Sequence, residues 1–64
     1  MDILMTTFHY LDRKLAEIGV DWQAELGGLG APLFDHCQAM ADLAGLDISD
    51  AMTAAIEQTL DAEQ

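Results

Sequence analysis

The side chains able to bind a metal or attack a substrate are few: His9, His36, Cys37 and a choice of carboxylates. Protein zinc sites use ligands paired at recurring spacings, such as C-x-x-C or H-x-x-x-H. Neither pairing exists here. His36 and Cys37 are neighbours, and on a helix neighbours point about 100° apart. That geometry also keeps this histidine from serving as the base for a thiol nucleophile. Cys37 falls mid-stripe between Leu33 and Met40 and reads as a small buried hydrophobe, with His36 on the shoulder. Asp47, Ser49 and Asp50 lack the glycine and the closing glutamate of a calcium loop. Gly27, Gly28 and Gly30 lack the following Lys and Ser or Thr of a phosphate-binding loop, and read as a connector. The expectation is no catalytic residue, no metal, no cofactor and no enzymatic activity.

Acidity is the stronger signal. Twelve acids face two bases, the neighbours Arg13 and Lys14, for a formal net charge of −10. Nucleic acids and anionic membranes are bound through Lys and Arg, so neither is expected as a direct ligand. Residues 41–56, with Gly45 in the turn, have the cadence of two helices joined for DNA reading. The second of these helices and its continuation, however, carry Asp50, Glu57, Asp61 and Glu63, and no Lys or Arg follows position 14. They would repel phosphates.

Asp50, Glu57 and Asp61 fall within about 40° of one another on a helix, and Glu57 and Asp61 are separated by ~6 Å of rise. Asp35 and Asp42 repeat the arrangement one helix earlier. None of the five has a base three or four positions away, whereas helix surfaces normally mix both signs. These five residues are the expected partner-binding face. The function expected from them is that of an acidic inhibitor or modulator docking on a basic, nucleic-acid-binding protein. This is the nucleic-acid-mimic type that phages and mobile elements use against host defence. The competing expectation is a small accessory subunit that packs into a larger assembly through an apolar seam.

The seam lies on the first of three helical periods. Met1, Leu4, Phe8, Leu11, Leu15 and Ile18 recur at spacings of three and four, the stripe of a helix packed lengthwise. Gly19 ends that helix, and Asp21 can cap a single further turn over residues 22–26. Pro32 suits the first position of the next helix. Its apolar face is Leu33, Cys37, Met40 and Ala44, widened by Phe34, Ala41 and Leu43. Gly45 closes it, and Asp47 can cap a last helix with Asp50 in its first turn. The apolar face there is Ile48, Ala51, Met52, Ala55, Ile56 and Thr59, with Leu60 on the shoulder. Its alanines allow a neighbouring helix to come close. Tyr10 and Trp22 are the aromatics expected to be partly exposed. No stretch alternates with a period of two, so the expected fold is all-α. It is a small three-helix bundle plus one short helical turn, residues 1–64 forming a single acidic domain.

Size sets the remaining expectation. A domain of 64 residues buries only about 60% of the surface its unfolded chain exposes. With one cysteine it has no internal disulfide to compensate, so a homodimer or a place in a complex is expected to supply the difference. At 52% hydrophobic the chain has enough apolar surface to fold. The lone thiol fits a reducing compartment. No basic leader segment or membrane-length apolar run is visible, and a cytoplasmic protein is expected.

Overall fold

A computed structural model describes residues 3–28 and 30–62. Among them the elements are α1 (Ile3–Glu17), α2 (Trp22–Leu26), α3 (Leu33–Leu43) and α4 (Ile48–Ala62), with no strand. The expected three helices and short helical turn are therefore what the chain forms. α1 is the hub and packs along both α3 and α4, which also touch each other, while α2 leans on α3. The principal extents are 37 × 24 × 17 Å. No helix among the described residues is long and apolar enough to cross a membrane.

Two corners set this path, and they are built alike. At the end of α1 the Gly19 N–H donates to the Ala16 carbonyl (3.2 Å) and the Val20 N–H to the Leu15 carbonyl (2.9 Å). At the end of α3 the Gly45 N–H donates to the Asp42 carbonyl (3.1 Å) and the Leu46 N–H to the Ala41 carbonyl (2.8 Å). Each is a Schellman cap, which requires a left-handed residue at the corner. Gly19 and Gly45 supply it with φ of +81° and +74°. Val20 and Leu46 then pack on the core, holding each corner shut. In both places the next residue is an aspartate that caps the following helix. Asp21 accepts from the Ala24 N–H (3.3 Å) and Asp47 from the Ser49 N–H (2.8 Å). One four-residue pattern, glycine–apolar–aspartate–apolar, thus ends one helix and starts the next, twice.

The core is narrow and built mostly of small side chains. Leu11, Leu15, Cys37, Met40, Ala41, Ala51 and Ala55 are buried, and Leu4, Phe8, Tyr10, Trp22 and Leu33 pack around the central cluster. Ala51 and Ala55 have no side chain beyond Cβ, which lets α4 lie close to α1. Thr7 is buried as well, a position the apolar stripe did not predict. Its hydroxyl donates to the Ile3 carbonyl at 2.9 Å, so no polar group is left unpaired by its burial. The Cys37 thiol points at α1 and donates to the Leu4 carbonyl at 3.7 Å, and burial pushes its pKa up from the ordinary thiol value.

Several expected core positions stand in solvent. Ile18, placed at the end of the seam, is 55% exposed, because the Gly19 corner turns the chain away before Ile18 reaches a neighbour. Phe34 and Leu43 do not widen the buried face of α3; both are exposed. Ile56 is 39% exposed and belongs to the outside of α4. Pro32 sits one position earlier than expected. It is the N-cap, with ψ of 156°, and its carbonyl accepts from the His36 N–H at 3.1 Å. Met1 lies outside the described residues.

Replacing Leu11 by Ala removes the centre of the α1 stripe and is expected to cost about 2–5 kcal/mol. Total stability for a chain of this length is of order 3–10 kcal/mol, so urea denaturation should show a large fall in midpoint or an unfolded protein. The thiol of Cys37, buried and held protonated, should resist a thiol-specific reagent at neutral pH and react promptly in denaturant. Because its native pKa is raised, the thiol should also make stability decline as pH climbs above the ordinary thiol value, where only the unfolded chain ionises.

Candidate interaction surface

The five acids of the expected face are all exposed. Asp35 and Asp42 line α3 on the side away from Cys37, Met40 and Ala41, and Asp50, Glu57 and Asp61 line α4 away from Ala51 and Ala55. The two lines stand on helices that touch each other. Arg13 and Lys14, the two bases, stand on α1. With Tyr10 and Glu17 of α1 and Gln58 of α4 they border a recess of about 180 Å³.

Helix electrostatics sorts these acids into two kinds. Asp35 and Asp50 occupy the first turns of α3 and α4, where the positive end of the helix dipole favours a carboxylate. Their presence follows from local stability. Asp42 and Asp61 occupy the last turns, where carbonyl groups present negative charge and a cation is favoured. Neither helix has a basic residue in its last turn. Glu57 stands between, four residues before Asp61, a spacing at which like charges repel. Asp42, Glu57 and Asp61 are therefore acids that the fold does not need and that oppose it.

Of the remaining chemistry-bearing residues, Trp22, His36 and Cys37 pack against neighbouring helices and His9 does not. Trp22 joins three helices. Its indole meets Phe8 edge-on at 5.4 Å and His36 at 6.1 Å, and its Nε1–H donates to Asp12 Oδ1 at 2.6 Å. This clip, together with Leu26 packed on the core, holds the five-residue α2 in place. His36 thus faces α2 while Cys37 faces α1, the divergence expected of adjacent helical residues. His36 Nδ1 is buried without a hydrogen-bond partner. His36 also borders a half-open cleft of about 260 Å³ with Trp22, Gln23, Leu26 and Gly28, just under the usual size range of small-molecule sites, ~300 Å³ and above. His9 is exposed on the outside of α1 and contacts Phe8 edge-on at 5.9 Å. Among the described residues no group of three His, Cys, Asp or Glu side chains converges as metal ligands would.

The expected seam has a different fate from the acidic face. Leu11 and Leu15 are 0% exposed and Leu4 and Phe8 are packed on the core. The chain covers this stripe with its own α3 and α4.

Acids at opposite helix ends should change stability in opposite directions when neutralised. Asp42→Asn and Asp61→Asn should each leave thermal stability unchanged or raise it, whereas Asp35→Asn and Asp50→Asn should lower it. Thermal unfolding at low salt, where surface electrostatics is least screened, reads the difference, and equal shifts of all four would remove the distinction. In comparisons with protein-family models, with curated proteins and with solved structures, the chain matches none.

Proposed function

We propose that this chain is an acidic protein-binding inhibitor or modulator that docks on a basic, nucleic-acid-binding protein surface, in the manner of a nucleic-acid mimic. The observation that carries this reading is the exposed set Asp42, Glu57 and Asp61. These charges sit where helix electrostatics opposes them, and no base stands three or four residues away. Charge retained against the stability of a small domain is most economically explained by a partner of opposite sign. Phage and mobile-element proteins directed against host defence nucleases are the functional type that fits. No catalytic step is assigned to the chain, and the cytoplasm is the proposed compartment, where a lone thiol stays reduced.

A role through the α1 seam gains no support from the packing. To offer Leu11 and Leu15 to another protein, the chain would have to give up its own core.

The test is competition and salt. The immobilised protein should retain purified basic nucleic-acid-binding proteins at low ionic strength, release them as salt rises, and lose them to added duplex DNA. Asp42→Asn/Glu57→Gln/Asp61→Asn should abolish retention while keeping the helical circular-dichroism signal. Retention that ignores both salt and this triple substitution would refute the reading.

A further inference from the structure

Ile56 and Leu60 are 39% and 56% exposed. They lie four residues apart, so they stack on one side of α4. Both lie roughly 140° round α4 from Ala51 and Ala55, two residues of that helix that are buried. Roughly 100° further round the same helix come Asp50, Glu57 and Asp61, and α4 carries no basic residue at all. An apolar pair therefore stands beside a purely acidic line on one rigid element.

We infer that this side of α4 seats an amphipathic basic helix of the partner, with apolar side chains on Ile56 and Leu60 and Lys or Arg side chains reaching Glu57, Asp61 and Asp50. The inference rests on the acidic-face reading above and narrows it from a basic surface to an element with an apolar stripe. Charge complementarity selects the occupant. Anchors at a four-residue spacing suit helix-on-helix docking, and the neighbouring carboxylates select Lys and Arg at its edges. A second copy of the chain fits less well. A two-fold contact would set the same acids of two chains, each of formal charge −10, against one another.

The test uses two labelled synthetic peptides of equal charge, one an amphipathic helix with Lys and Arg beside a Leu stripe, the other with the Leu residues replaced by Gln. The intact protein should bind the first at least about tenfold more tightly than the second. Ile56→Ser/Leu60→Ser should erase that preference, a loss of about tenfold or more typical of a central apolar anchor. Leu60→Ser alone, at the more exposed position, should show part of the effect and guards against a folding defect in the double variant. If the apolar substitutions change nothing while Asp50→Asn/Glu57→Gln/Asp61→Asn abolishes binding, docking is by charge alone. The inference then fails while the proposed function stands. Indifference to both sets of substitutions would overturn the two together. Sedimentation of a dimer that Ile56→Ser/Leu60→Ser dissolves would give the face to a second copy and overturn the inference.

Discussion

Burial of Leu11 and Leu15 between α3 and α4 is the interaction around which the other elements are arranged. The side chains that meet them are modest: Cys37, Met40, Ala41 and Ala51. A core of that kind stabilises by closeness rather than bulk, because dispersion falls off steeply once a gap of even half an ångström opens. Closeness in turn explains the buried Thr7 and Ala55, both small enough to let helices approach. The corners at Gly19 and Gly45 serve the same end, since each closes with an apolar residue laid back on the core. The Trp22 clip adds ring contacts to Phe8 and His36 and, with Leu26, ties α2 to the core.

Against this thin core stands the charge. Ten uncompensated negative charges repel one another most when the chain is compact. Part of the acidity works for the fold. Asp21 and Asp47 cap helices, Asp35 and Asp50 sit at favourable dipole ends, and Asp12 holds the tryptophan. Seven acids remain, and Asp42, Glu57 and Asp61 are three of them. That division turns a bulk property, net charge, into a statement about particular side chains.

Much of this was legible from spacing alone. The period of Leu4, Leu11 and Leu15 located the buried stripe of α1, and the aspartates before positions 22 and 48 located two helix starts. Cys37, flanked by Leu33 and Met40, read correctly as core. What spacing missed depended on neighbours. Thr7 is buried because the Ile3 carbonyl satisfies its hydroxyl, a partner that no hydropathy pattern records, although its place four residues before Leu11 was a usable hint. Ile18 and Ile56 fit their helical periods and yet stand in solvent, Ile18 just beyond the end of α1 and Ile56 on the side of α4 away from Ala51 and Ala55. Phe34 stands in solvent too. The recurring glycine–apolar–aspartate corner was available in the sequence and is recognisable once both of its copies are seen as caps. The five acids were placed on outward faces correctly, but only the helix ends reveal which of them the fold itself favours.

The pairing of α1 with α4 has a consequence for how the chain acquires its structure. The two helices are separated by the 30 residues 18–47, and each covers surface the other leaves bare. During synthesis, which delivers the chain in order, α1 emerges with its apolar stripe open and meets its chief neighbour only after the rest of the domain has appeared. Neither the first half nor the second has a core of its own. The core is therefore complete only when α4 has joined α1 and α3. Until then the nascent chain relies on its own negative charge to keep the exposed leucines of one copy away from those of the next.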